Sequence, residues 1–155
     1  MKRNVTLLAC VLAGAAGYTT IAYAHPGTST SHVAHAPTVQ LRHTSIGTIL
    51  TSASGLTLYE FTRDHPNANS CVKVSGCKQA WPALEISGTP TAGPGVKASL
   101  LSTIRISGSA RQVTYAGHPL YLYSGDSSPA DTSYVGVQQF GGKWYALGAT
   151  GGSVK

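Results

Sequence analysis

Leu58-Tyr59-Glu60-Phe61-Thr62-Arg63-Asp64 and Leu120-Tyr121-Leu122-Tyr123-Ser124-Gly125-Asp126 are two versions of one segment, set 62 residues apart from Tyr59 to Tyr121. Trp81-Pro82-Ala83-Leu84 recurs as Trp144-Tyr145-Ala146-Leu147 at a spacing of 63. Two blocks repeated in the same order at nearly the same spacing are the mark of an internal duplication. Residues two apart in a strand point to one side, so Tyr59 with Phe61 and Tyr121 with Tyr123 form matching aromatic pairs. A half of this size cannot bury its apolar face alone. The sequence therefore predicts two small half-sheets packed on each other with approximate twofold symmetry.

Outward from these segments the pattern is short alternating strands broken by turn residues. Ile46 to Thr51 and Leu56 to Thr62 flank Ser52-Ala53-Ser54-Gly55 as a hairpin. Ile104-Arg105-Ile106 and Gln112-Val113-Thr114-Tyr115 flank Ser107 to Ala110, and the chain turns again at Ala116-Gly117. Val137 to Phe140 and Lys143 to Leu147 are joined by Gly141-Gly142. The expected fold is an all-β, sandwich- or barrel-like domain over residues 39–150, with repeats at about 39–90 and 98–150.

The N-terminus reads as an address. Lys2 and Arg3 precede a mostly apolar run, and Ala22-Tyr23-Ala24 is a small-x-small cleavage site, so residues 1–24 are expected to be a signal peptide. Cleavage leaves His25 first, followed by a small, polar leader at 25–38 that cannot bury a core. No later segment has spanning length, so no membrane span is expected after cleavage. Cys10 goes with the signal, and Cys71 and Cys77 remain as an even pair expected to form a disulfide in an oxidising compartment, the periplasm or the exterior.

Of 155 residues, 10% are charged, against roughly 25% in an average chain. Without Lys2 and Arg3, nine Lys and Arg face five acids. That mild excess favours anionic envelope polymers or lipid headgroups. The cations are scattered, with no zinc-finger spacing, phosphate-cradling loop or basic helix, which sets nucleic acid aside.

Three chemistries compete for the remaining residues. The tyrosines and phenylalanine pack a core while Asp64 and Asp126, just beyond their strands, accept backbone N–H bonds and fix turns. Alternatively, symmetry brings Asp64 and Asp126 together as a cation site or an acid/base pair of a small hydrolase. Gly125-Asp126-Ser127 lacks the following glycines of a serine-protease nucleophile, and there is no G-x-S-x-G, so no catalytic residue is assigned. Trp81 and Trp144 are expected in the core rather than stacked on sugars. The third chemistry is copper: a terminal His25 chelates Cu(II) through its amine and imidazole, with His32, His35 or His43 as further ligands. Pro26 removes one amide that square-planar backbone coordination uses.

The two copies of Y-x-[FWY]-x-x-D, Tyr59-x-Phe61-x-x-Asp64 and Tyr121-x-Tyr123-x-x-Asp126, resemble the bacterial secreted-repeat family, predicted lipoproteins that carry this motif. Cys71…Cys77-Lys78-Gln79-Ala80-Trp81-Pro82 resembles its first repeat. Gln112 to Tyr121, followed by Gly141-Gly142-Lys143-Trp144-Tyr145, resembles its second. Two departures stand out. A plain cleavage site replaces the family's lipobox, and Ser133-Tyr134-Val135-Gly136 occupies a stretch that is otherwise glycine-rich. The resemblance implies an exported module with no established enzymatic activity or catalytic residues. The reading from sequence is a binding or structural module of the cell envelope for an unidentified envelope component or small ligand, with a copper-binding leader and a hydrolase as alternatives.

Overall fold

The computed structural model describes residues 38–155. Strands β1 (Val39–Thr44) and β2 (Gly47–Ser52) form an antiparallel hairpin, which β3 (Tyr59–Phe61) follows. A 3₁₀ turn at Cys71–Lys73 and the single-turn helix α1 (Cys77–Ala80) precede β4 (Glu85–Ile86). The second copy holds β5 (Leu101–Ser107), β6 (Ala110–Tyr115), β7 (His118–Pro119), β8 (Gln138–Gln139), β9 (Gly142–Leu147) and β10 (Ser153–Val154). The fold is all-β, with several antiparallel sheets in a sandwich-like arrangement and none closed into a barrel.

The sheets are not built one per copy. β3 of the first copy pairs with β9 of the second, and β4 of the first pairs with β6 of the second. Tyr59 and Tyr121 exchange two backbone hydrogen bonds of 2.9 Å, each N–H donating to the other's carbonyl. About that junction the pairings repeat: Tyr59 lies opposite Ala146 as Tyr121 lies opposite Ala83. The Thr62 N–H donates to Lys143 O as the Ser124 N–H donates to Ala80 O. Each motif strand thus pairs with the tryptophan strand of the other copy. A three-residue strand carries too little pairing of its own to hold a sheet, so it takes its ladder from whichever neighbour buries its side chains.

The alternation of the motif strand divides two cores. Tyr59, Phe61, Tyr121, Trp81 and Trp144 fill an aromatic cluster with both cysteines, while Leu58, Leu120 and Leu147 join Val39, Leu50, Val113 and Tyr115 in an aliphatic one. Cys71 and Cys77 are joined in a disulfide.

Several boundaries move. The hairpin expected between 46–51 and 56–62 holds only through a Thr51–Thr57 bridge, after which the strand leaves for β9. The turn placed at Gly141-Gly142 is Phe140-Gly141, both at positive φ (57° and 79°), and Gly142 belongs to β9. A Cβ at Gly142 would lie 2.7 Å from Phe61 Cε2, so close approach demands the glycine there. Thr38, read as the end of the leader, bonds to Thr91, and β10 carries ordered strand past residue 150.

Candidate functional site

The motif residues converge on the junction between the copies. Trp81 and Trp144 stack face to face, with centroids 4.0 Å apart and planes 4° from parallel. Phe61 stacks on Trp144 at 4.1 Å and Tyr123 on Trp81 at 4.4 Å, each contact crossing between copies. Tyr59 meets Trp81 edge-on at 5.1 Å, and Tyr121 meets Trp144 the same way at the same distance. Both tryptophans are fully buried, so neither offers a face to a sugar. T-shaped and offset contacts of this kind add to the burial of the rings.

The tyrosine hydroxyls then reach across. Tyr121 donates to Asp64 Oδ2 at 2.7 Å, and Tyr59 donates to Asp126 Oδ1 at 3.3 Å. Each aspartate of the motif is held by the tyrosine of the other copy. Asp64 Oδ1 also accepts the Ser70 N–H at 2.7 Å, the turn-fixing role expected of it. Asp126 has no such second bond: its Oδ2 is buried without a hydrogen-bond partner among the described residues. Burial raises both carboxyl pKa values, opposed at Asp64 by the bonds from Tyr121 and Ser70. At Asp126 burial, only partly offset by the Tyr59 bond, combines with the nearby Asp131 charge to push the pKa up to about 6. Burial likewise raises both tyrosine hydroxyls, so they stay protonated donors.

Asp64 and Asp126 share no hydrogen-bond partner. Asp64 lines a small cavity of about 60 Å³ with His65 and His118, and Asp126 is not part of it. Among the described residues no group of three or more His, Cys, Asp or Glu is placed to hold a metal ion. His43 bonds the Thr48 hydroxyl through Nδ1 at 2.8 Å. The signal peptide, the leader and its His25, His32 and His35 lie outside the described residues.

Two further features were not legible from strand patterning. Glu60, between the two aromatics of its strand, is buried and bonded to His118 Nδ1 at 2.7 Å and to the Ser153 hydroxyl. It clips the first motif strand to β7 and β10, at the position equivalent to Leu122. A larger groove of about 620 Å³ lies on the β5–β6 face, lined by Leu101, Ser102, Thr103 and Arg111 and walled by the Ser87–Pro90 loop. Arg111 is the one charged residue of its lining, and the hairpin sets it opposite Arg105.

Among the described residues no helix is long and apolar enough to cross a membrane. Residues 103–147 match the model of a family described as a secreted repeat of unknown function, the family that the motif residues resemble, and the match covers β6 and β9 of the second copy. No curated protein and no solved structure matches the chain.

Proposed function

We propose that this chain, which carries the secreted repeat, is an exported, non-catalytic module that binds or braces the cell envelope, in the periplasm or outside the cell. The reciprocal Tyr121–Asp64 and Tyr59–Asp126 bonds carry the reading. They commit the repeated carboxylates and aromatics to joining the copies, which leaves recognition to the surface. The family's description as secreted supports export, as does the Cys71–Cys77 disulfide. Export follows from cleavage after Ala24, and intact mass of the exported protein beginning at His25 tests it.

The function itself is tested by co-sedimentation of the purified protein with envelope material from its own cells. Asp126→Asn, kept below its unfolding temperature, is expected to sediment as wild type does. Loss of sedimentation with the fold intact by circular dichroism would place the motif in the binding or catalytic surface instead. The copper reading of His25, His32 and His35 rests on the sequence, and Cu(II) titration of the processed protein against His25→Ala tests it. Unchanged affinity in that variant rejects the terminal chelate.

A further inference from the structure

The charges of this protein are sorted by depth. All nine Lys and Arg of residues 38–155 are exposed. Of the five acids, all within those residues, Glu60 is buried, Asp64, Asp126 and Asp131 are half-buried, and Glu85 alone is fully exposed. Residues 1–37 contain no Asp or Glu. Among the described residues no Lys or Arg forms an ion pair, and the one acid–base contact is His118–Glu60. Four of the five acids are buried or half-buried, while all nine Lys and Arg of residues 38–155 face solvent.

On the β5–β6 face this excess is concentrated. Arg105 and Arg111 lie directly opposite each other across the ladder. Like charges facing across a sheet are destabilising, and among the described residues no carboxylate forms an ion pair with either. Arg111 Nε donates to Thr103 Oγ1 at 2.8 Å, which fixes the guanidinium at the end of the groove of about 620 Å³. Ser87, Thr89, Ser102 and Thr103 add hydroxyls to that lining, which holds no acid.

We infer that the β5–β6 groove binds an anionic saccharide polymer, with Arg111 in its lining and Arg105 opposite it on β5 as the cations for its phosphate or carboxylate groups and the hydroxyls for its sugars. This deepens the binding half of the proposed function and rests on it. A guanidinium presents paired donors that match an oxyanion, and two side by side suit a chain of repeated charges. A lipid surface fits less well: among the described residues Val72 is the one exposed large hydrophobic, so there is little to insert between headgroups.

The test is binding of the purified protein to dextran sulfate and to uncharged dextran of the same length, at about 0.15 M salt. Dextran sulfate is expected to bind and dextran not to. Arg105→Gln and Arg111→Gln should each weaken binding, and together by about tenfold or more. Lys143→Gln/Lys155→Gln, which removes the same charge elsewhere, should change it less than about threefold. Arg105→Gln should leave the melting temperature unchanged or raise it, because it relieves repulsion. Equal losses in the arginine and lysine pairs would mean unspecific attraction and overturn the inference, as would no binding to dextran sulfate. Binding to phosphatidylcholine/phosphatidylglycerol vesicles without binding to dextran sulfate would assign the face to a lipid surface instead. If envelope co-sedimentation survives while dextran sulfate binding is absent, this inference alone fails and the module reading stands.

Discussion

The two copies share a motif but not its bonding. Around Asp64 both carboxylate oxygens are engaged, by the Tyr121 hydroxyl and the Ser70 N–H, whereas among the described residues Asp126 has one bond of 3.3 Å and a buried oxygen with none. The tryptophans differ the same way: Trp81 Nε1 donates to Gln139 Oε1 at 2.9 Å, and Trp144 Nε1 is buried without a partner among the described residues. Cys77 stands four residues before Trp81 as Phe140 stands before Trp144, so a disulfide loop in one copy replaces a glycine-turn hairpin in the other. Duplication repeats a strand pattern, while the polar satisfaction around it is set by loops that have diverged. A buried group left unpaired costs more than a made bond gains, so the two junctions should respond unequally to the same change.

The largest effect is expected at the stacked tryptophans. Trp81→Ala and Trp144→Ala should each cost about 3–5 kcal/mol in denaturant unfolding. Trp81→Phe should cost more than Trp144→Phe, since it strands Gln139 whereas the other removes an orphan donor. Equal costs for the two phenylalanine variants would remove the asymmetry. Next, opening the disulfide with Cys71→Ser/Cys77→Ser should cost about 2 kcal/mol, the chain-entropy value for so short a loop, measured by the same unfolding midpoint. No cost would mean that the loop is held without it.

The lesson about legibility lies in the same residues. Hairpins with strong turn chemistry were readable: β5 begins three residues before its expected start, and the other ends of β5–β6 and β8–β9 stand within a residue or two of theirs, because local turn residues determine them. The repeat and its aromatic core were readable from the recurrence of Tyr59, Phe61 and Trp81 in Tyr121, Tyr123 and Trp144. The exchange of strands between copies was not. Alternation shows which side a residue faces, and β3, only three residues long, is equally consistent with a partner in either copy. Glu60 was missed because a charged residue between aromatics looks solvent-facing, and its partners His118 and Ser153 are distant in sequence. At the candidate site the carboxylates were identified, but their tyrosine partners depend on the same strand exchange.

Smaller effects sharpen the comparison. Tyr121→Phe should cost about 2 kcal/mol by leaving Asp64 Oδ2 unpaired, and Tyr59→Phe about 1 kcal/mol or less, because its bonds to Asp126 and to Asp131 O are both long at 3.3 Å. A reversed order would contradict the asymmetry. The smallest effect is on pH. Asp126 has its folded pKa raised to about 6 and Asp64 is raised as well, so the folded state binds more protons than the unfolded one above the ordinary value of 3.8. Their contribution to stability is full below that value and is lost as pH rises through the raised folded values, which for Asp126 means toward about 6. Melting temperature should therefore fall between pH 4 and 6.5, with part of that fall removed by Asp126→Asn. A pH profile that Asp126→Asn leaves unaltered would contradict the assignment.

The most direct measurement is a pair of double-mutant cycles on unfolding free energy. One couples Tyr121→Phe with Asp64→Asn, across the copies, and the other couples Tyr121→Phe with Asp126→Asn, inside one copy. Reciprocal joining predicts a coupling of about 1–2 kcal/mol in the first and no more than about 0.5 kcal/mol in the second. Coupling confined to the second cycle would show that each motif closes on itself and would contradict the account.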